Sequence, residues 1–196
     1  MLSPKAKKAW EQAGSPPPIR KSCAKGSRTI AVKLCYKDIR GKPIRLCIMS
    51  VHMPHSGNQY TDDNYISCLH CIEGIIDQLD KNTVPLIFGD FNARIGNSQS
   101  LPPETAAPLI GKFGVPETNN RGMLLFNNFL NTERQFCVPS TFFKKKHYNT
   151  WNRHHIDYLI LPKKHHRLVQ DSGVAARYGV ESDHIAQRTI IRLVHH

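Results

Sequence analysis

Several features that would place the chain in a special class are missing from its 196 residues. No stretch approaches the roughly 18 consecutive apolar residues that a membrane-spanning helix needs. The Lys-rich N-terminus contains no hydrophobic signal core, and the six cysteines lack the dense spacing of a secreted disulfide framework. Internal repeats are absent as well. The sequence therefore predicts a soluble, intracellular protein that does not contact membranes.

Acidic residues are scarce relative to basic ones. The chain has 27 Lys and Arg against 15 Asp and Glu, which gives a formal charge of +12 and a pI near 9.6. The basic residues cluster at Lys144–His147 and Lys163–Arg167. Such an excess favours a polyanionic partner, because bound cations release counterions from it. Taken alone, each cluster is also compatible with an ordinary solvated surface.

A zinc site is disfavoured by the pattern around the one close cysteine pair. Cys68 and Cys71 have the C-x-x-C spacing, but they lie within a helical pattern. No second pair follows at the distance that a zinc finger requires.

The apolar pattern predicts strands with two covering helices. Residues Thr29–Tyr36 and Pro43–Val51 read as a hairpin, joined by a polar turn containing Gly41. Apolar residues from Tyr65 to Leu79 recur at three- and four-residue steps, which indicates a helix with one buried face. Further along we expect a polar loop over 97–118, a helix near 122–132, and strands at 137–143, 149–151, 156–161 and 186–193.

The most informative segment is Ile87-Phe88-Gly89-Asp90-Phe91-Asn92-Ala93, where an apolar strand ends on an acid and an amide. Because side chains alternate along a strand, Asp90 and Asn92 are predicted to point the same way while Phe91 turns into the core. A carboxylate can hold a divalent cation or take a proton from water, and an amide can donate to a phosphate oxygen. This is typical of a hydrolytic site, although a single strand-end Asp often only caps a turn.

Two further acidic positions follow in the sequence. Ile156-Asp157-Tyr158-Leu159-Ile160-Leu161 places Asp157 at the head of an apolar strand, and Glu181-Ser182-Asp183-His184 places Asp183 beside an imidazole. Each has a simpler interpretation on its own, as a strand cap, a turn residue or a surface histidine. The three placements in this order favour one site formed by all of them.

This series of motifs resembles the endonuclease/exonuclease/phosphatase superfamily, whose members carry a GDFN strand, a hydrophobic-D-Y strand and a terminal SDH. Within it, the sequence most resembles the abasic-site-type endonucleases of non-LTR retrotransposons. That subfamily has similar motifs at Asn119–Leu125, Ser140–Phe143 and Asn149–Trp151, in the same order. The resemblance covers about Arg28 to Leu193.

The resemblance implies an α/β fold, a four-layer α/β/β/α sandwich of the DNase I type, and an endonuclease that requires Mg²⁺ or Mn²⁺. By analogy, Asp90 activates the attacking water, Asn92 donates to the phosphate, and Asp157 orients His184, whose imidazole stabilises charge on the phosphate. Asp183 and Asp90 are the implied metal ligands. The implied substrate-binding residues are His52, Asn120, Trp151, Lys144 and Lys145, although an aromatic residue such as Trp151 is more often part of a core.

Two departures from the family pattern bear on function. The family's opening strands, with an Asn and then a metal-binding Glu in Q-E-T, have no counterpart before Arg28. Residues 1–27 are instead predicted to be a disordered basic and Pro-rich tail, and residues 28–196 a partial domain that lacks its first strands. The missing strands predict exposed edges and aggregation. The second departure is His52, where the family usually has a Tyr.

Two functions remain open at this point. The chain is a DNA endonuclease weakened by loss of the metal-binding Glu, or a non-catalytic relic that binds nucleic acid. In both cases the implied partner is DNA, together with a reverse transcriptase domain in a longer parent polyprotein, and the implied location is the nucleus.

Overall fold

The computed structural model describes residues 2–21, 27–37, 40–57, 60–101, 108–175 and 182–193. The α-helices in this part of the chain are α1 (Pro4–Gln12), α2 (Asp62–Ile76) and α3 (Asn120–Leu125), the last continued by a π-helical segment (Phe126–Leu130). Short 3₁₀ helices span Pro139–Thr141 and Lys163–Leu168. The strands are β1 (Ile19–Lys21), β2 (Arg28–Lys37), β3 (Pro43–His52), β4 (Thr83–Asp90), β5 (Phe136–Cys137), β6 (Asp157–Pro162), β7 (Val169–Val174) and β8 (Gln187–Ile191).

The central sheet has six strands in the order β1-β2-β3-β4-β6-β5. Strands β2 and β3 form the expected antiparallel hairpin, and residues 38 and 39 of its turn lie outside the described residues. Strands β3 and β4 are parallel, so a crossover must connect them, and α2 supplies it. Strand β6 returns antiparallel beside β4. The carboxyl end of β4 therefore lies next to the amino end of β6.

Helix α2 covers one face of this sheet. It begins at Thr61, whose side chain accepts from the Asn64 N–H while the Asn64 side chain accepts from the Thr61 N–H. Its buried apolar residues pack with inward-facing residues of β3, β4 and β6, among them Met49, Ile87 and Ile160. The helix predicted near 122–132 is confirmed as α3 with its π-helical continuation, and it extends the same core.

The opposite face of the sheet packs against different elements. Residues that alternate with the first set, such as Leu46, Leu86 and Leu159, contact a second cluster that includes the two-stranded β7–β8 sheet and α1. This sheet-on-sheet arrangement, with α2 and α3 outside the central sheet, is the α/β sandwich that the resemblance implies.

The N-terminal residues differ from the expectation of a disordered tail. Residues 4–12 form α1, capped by Ser3, and residues 19–21 pair antiparallel with β2 as strand β1. Ala9 is only 2% exposed, and Trp10 packs on the second cluster while its Nε1 donates to the Pro16 carbonyl. The composition is basic and Pro-rich, but two apolar side chains suffice to dock a short helix on an uncovered sheet face.

Other expectations also need correction. The strand expected over 137–143 is only the two-residue β5 followed by a 3₁₀ turn, because Pro139 lacks an N–H for the ladder. Residues 149–151 do not form a strand, and Trp151 makes only isolated bridges to His154 and His184. Strand β7 was missed, because Gln170, Asp171 and Gly173 weaken its apolar signal.

The cysteines in the described ranges are in two states. Cys35, Cys47, Cys68 and Cys137 are free thiols, whereas Cys71 is disulfide-bonded. Burial raises the pKa of the Cys47 thiol to about 11 and that of Cys137 to about 12, so both remain protonated. None of the described helices is both long and apolar enough to span a bilayer.

Candidate active site

Strand register brings three polar side chains into one row. His52 at the end of β3 pairs with Asp90 at the end of β4, and Asp90 pairs with Asp157 at the start of β6. Directly paired residues point to the same face of a sheet, here the face that packs against β7–β8. The sequence placed Asp90 and Asp157 at strand ends, and the pairing of β4 with β6 makes them neighbours.

Asp90 and Asn92 form a local hydrogen-bonded unit. Asn92 donates its backbone N–H to Asp90 Oδ1 at 2.8 Å and its amide to Asp90 Oδ2 at 3.2 Å. The same amide also donates to the Met53 carbonyl at 2.8 Å. Strand β4 ends at Asp90, and the next residue but one, Asn92, has a positive φ of 47°. The two side chains therefore meet through a turn, and not through the alternation of side chains along a strand. Phe91 is fully buried, as predicted.

Burial shapes the chemistry of Asp90. It raises the pKa of the Asp90 carboxyl above its ordinary value, and the neighbouring charge of Asp157 acts in the same direction. The N–H of Asn92 and the imidazoles of His184 and His52 partly oppose this shift. A carboxylate with a raised pKa is a better proton acceptor than a solvated one.

Asp157 and His184 form the pair that the sequence predicts. His184 Nδ1 lies 2.9 Å from Asp157 Oδ2, so the carboxylate accepts the Nδ1–H and leaves Nε2 on the far side of the ring. Partial burial lowers the pKa of His184, but the hydrogen bond and charge of Asp157 outweigh it and raise the pKa above its ordinary value. The pair favours a cationic imidazole.

Thr150 holds this pair in position. Its Oγ1 accepts from the N–H groups of Ile156 and Asp157, both at 3.1 Å, and its carbonyl accepts from the Ile185 N–H at 2.6 Å. The residue thus ties the start of β6 to the segment that carries His184. Thr150 lies inside the Asn149–Trp151 motif, but a threonine there carries no pattern that predicts this role.

Asp183 is held by an indole. Trp151 Nε1 donates to Asp183 Oδ2 at 2.9 Å, and this hydrogen bond lowers the pKa of the exposed Asp183 carboxyl. The ring of Trp151 also lies 6.3 Å from that of His184. Trp151 is predicted to bind substrate, and in the structure its indole N–H is engaged by Asp183. Glu181 lies outside the described residues.

The other predicted substrate residues are not all at the same place. Asn120 donates to Asp62 Oδ2 at 2.8 Å and lines a cleft with Arg94 and Arg121. Lys145 forms an ion pair with Asp171 of β7, whereas Lys144 is exposed. His52 lies in the row with Asp90.

Two buried residues behind the site were not anticipated. Tyr65 of α2 donates its hydroxyl to the Phe91 carbonyl at 2.9 Å, which fixes the turn between Asp90 and Asn92. Arg121 is 3% exposed, lies over the Tyr65 ring, and donates to the carbonyls of Tyr60 and Thr61. A buried arginine with these contacts organises the loop before α2. In the sequence, the position of Arg121 within the Asn119–Leu125 motif is the feature that points to a role near the site.

The acids of the site fit a partly hydrated Mg²⁺ better than a protein-only metal cage. Within the described ranges, no group of three or more His, Cys, Asp or Glu side chains is arranged to hold a metal ion. Mg²⁺ commonly keeps several waters and binds one or two carboxylates. Asp90 and Asp183 offer such oxygens, and a cation would stabilise the Asp90 carboxylate, whose pKa burial raises first and the charge of Asp157 raises further.

A buried histidine beside the site predicts acid sensitivity. His155 is 5% exposed and packs on the Tyr158 ring, and burial lowers its pKa from 6.5 to about 4. The unfolded chain therefore binds a proton below pH 6.5 that the folded chain refuses until about pH 4. We expect this histidine to remove roughly 3 kcal/mol of unfolding free energy between those pH values.

Urea denaturation of wild type and His155→Gln at pH 7.5 and pH 4.5 measures this contribution. The loss on acidification should be smaller in His155→Gln, whereas the exposed His147→Gln should behave like wild type. Equal losses in all three proteins would contradict the assignment.

Solved structures share this fold. A 3′ phosphatase from Neisseria, bound to a product DNA hairpin, superposes with a TM-score of 0.56 at 11% identity, over 85% of this chain and 65% of that one. The endonuclease domain of TRAS1, a telomere-specific non-LTR retrotransposon, gives a TM-score of 0.53 at 16% identity, over 90% and 67%. An endonuclease/exonuclease/phosphatase family protein from Leptotrichia buccalis gives 0.51 at 16% identity, over 85% and 54%.

No protein-family profile matches the sequence, and no curated protein is similar to it. The chain spans between 54% and 67% of the three structures. The shared architecture covers between 85% and 90% of this chain. The chain has the DNase I-like α/β fold that these structures share.

Proposed function

We propose that this chain hydrolyses phosphodiester bonds in DNA with the help of Mg²⁺ or Mn²⁺, as a retrotransposon-type endonuclease domain of low activity. The observation that carries the proposal is the group formed by Asp90, Asp157 and His184. Two carboxyl groups are adjacent through strand pairing, and an imidazole is held at 2.9 Å from one of them. The charge of +12 suits a polyanionic substrate.

In this proposal one residue acts as a general base and another stabilises the charge that develops on the phosphate. Asp90, whose pKa burial raises, accepts a proton from the attacking water. Asp157 holds the His184 Nδ1–H, so Nε2–H of the cationic ring can donate to a phosphate oxygen as negative charge develops on it. A bound Mg²⁺ supplies further positive charge at the phosphate.

The structure gives Asn92 a different role from the one that the sequence suggests. The sequence suggests that its amide donates to the phosphate, and in the structure that amide donates to Met53 and Asp90. We therefore assign Asn92 to positioning the Asp90 carboxylate. An amide can still turn toward a phosphate when substrate arrives, since the Asn92 backbone N–H alone keeps Asp90 in place.

The alternative function is a nucleic-acid-binding relic without catalysis. The absence of a cluster of three metal-binding side chains among the described residues favours it. Asp183 also accepts a hydrogen bond from Trp151 Nε1, which engages one of its two carboxylate oxygens. Binding by basic residues needs neither metal nor the His184 pair, so the two functions separate experimentally.

We expect weak nicking of supercoiled plasmid that requires Mg²⁺ or Mn²⁺ and stops in EDTA. His184→Ala should lower the rate by about 100-fold or more, because it removes a donor to the developing charge. The exposed His70→Ala on α2 is the matched control and should nick like wild type. Strong cleavage in EDTA would contradict the metal requirement, and DNA binding without any nicking would favour the relic.

A further inference from the structure

The second basic cluster lies at the wrong end of the sheet to serve the candidate active site. Lys163–Leu168 follow β6 directly, whereas Asp157 is the first residue of the same strand. Five residue steps along a strand separate the two ends by roughly 16 Å. Pro162 pairs with Phe136 at this end, and β4 begins there at Thr83. The cluster therefore marks a different pole of the molecule.

A groove at this pole carries an excess of positive charge. One cleft of about 620 Å³ is lined by Arg134, Lys163, Lys164 and Arg167, and by a single carboxylate, Glu133. A neighbouring cleft of about 610 Å³ shares Glu133, Arg134, Lys164 and His165 with it and adds Lys81, Asp77 and Asp80, so the positive excess lies in the first cleft. Because the two clefts share a wall, they form one open groove, which suits an extended polyanion better than a small ligand.

Some of the basic side chains in this groove already have partners among the described residues, and others do not. Arg134 pairs with Asp77, and Lys163 Nζ donates to Gln135 Oε1 at 3.2 Å. Lys164 and Arg167 are exposed, and neither has an ion pair or hydrogen bond within the described part of the chain. Two free cations beside two anchored ones offer successive contacts to a phosphate backbone without the loss of internal pairs.

We propose that this basic groove is a second nucleic-acid-binding surface, which holds a strand other than the one at Asp90 and His184. The surface uses phosphate contacts and reads no sequence. A single chain then bridges two nucleic-acid segments. The inference does not require hydrolysis, since it depends on charge and shape at the pole opposite the active site.

A bridging experiment in EDTA tests this surface. Biotinylated 20-base-pair DNA on beads is loaded with protein, washed, and given a fluorescent duplex of the same length. Wild type, shown to be monomeric by light scattering, should retain the second duplex. Lys164→Ala/Arg167→Ala should still bind the beads but retain at least tenfold less of the second duplex. Its binding should also lose about 1.8 from the slope of log affinity against log salt, at 0.9 per phosphate contact.

The matched control is Lys5→Ala/Lys8→Ala, which removes the same charge from two exposed lysines of α1. It should bridge like wild type. Equal bridging by wild type and Lys164→Ala/Arg167→Ala would overturn the proposal, and so would an equal loss in both double variants, because net charge would then explain the result. Failure of plasmid nicking with bridging intact would contradict only the proposed hydrolysis.

Discussion

Asp90→Asn is expected to reduce metal-dependent nicking by about 10³-fold while the fold stays intact. The substitution keeps the shape of the side chain, and its oxygen can still accept the Asn92 N–H. It removes the negative charge that accepts a proton from water. Because burial raises the pKa of Asp90, the folded chain holds this carboxylate at a cost, so the neutral amide should not lower the melting temperature.

Plasmid nicking and thermal melting measured on the same preparation separate function from stability. Asp63→Asn, which neutralises an exposed carboxylate in the first turn of α2, should change neither rate nor fold. Retention of more than a tenth of the wild-type rate by Asp90→Asn would show that another group takes the proton.

Ala9→Glu is expected to lower the free energy of unfolding by roughly 3 kcal/mol or to release α1 from the sheet, whichever costs less. Ala9 is 2% exposed and packs in the cluster that contains Leu34, Leu46 and Val84. A glutamate carboxylate at this position would be buried among apolar side chains without a counter-ion. Released α1 would uncover apolar residues of β2 and β3, which promotes aggregation.

Urea denaturation and light scattering detect the two outcomes. Lys8→Glu places the same side chain at the adjacent, exposed position of the same helix, and it should melt like wild type. If Ala9→Glu also leaves the melt and the monomer unchanged, α1 does not contribute to closing the second face.

The structure of the N-terminal residues depends on contacts that the local sequence does not reveal. Pro16–Pro18 and the lysines of residues 5–8 give a composition that is typical of disorder. The docking of α1 depends on a sheet face formed by residues far along the chain, such as Val84 and Leu159. A local composition cannot reveal that such a face is available.

For the candidate active site, the sequence indicates which residues take part, and the structure shows how they contact one another. The acids at Asp90 and Asp157 and the imidazole of His184 could be selected because each follows or begins an apolar run or lies beside another acid. Their contacts depend on pairings between distant segments, β4 with β6 and Trp151 with His184. Thr150, Tyr65 and Arg121 support the site through hydrogen bonds to backbone groups, and such bonds leave no periodic pattern in a sequence.

The sequence by itself determined the α/β class, the hairpin, the two helices on the first face and the identity of the candidate residues, because these depend on local periodicity and on residue chemistry. Only the tertiary structure decided that Asn92 positions Asp90, that Lys145 is engaged with Asp171, and that Lys163–Leu168 lie at the end of β6 away from Asp157. Strand register and packing fix these relations, and both arise from contacts between residues that are distant in the chain.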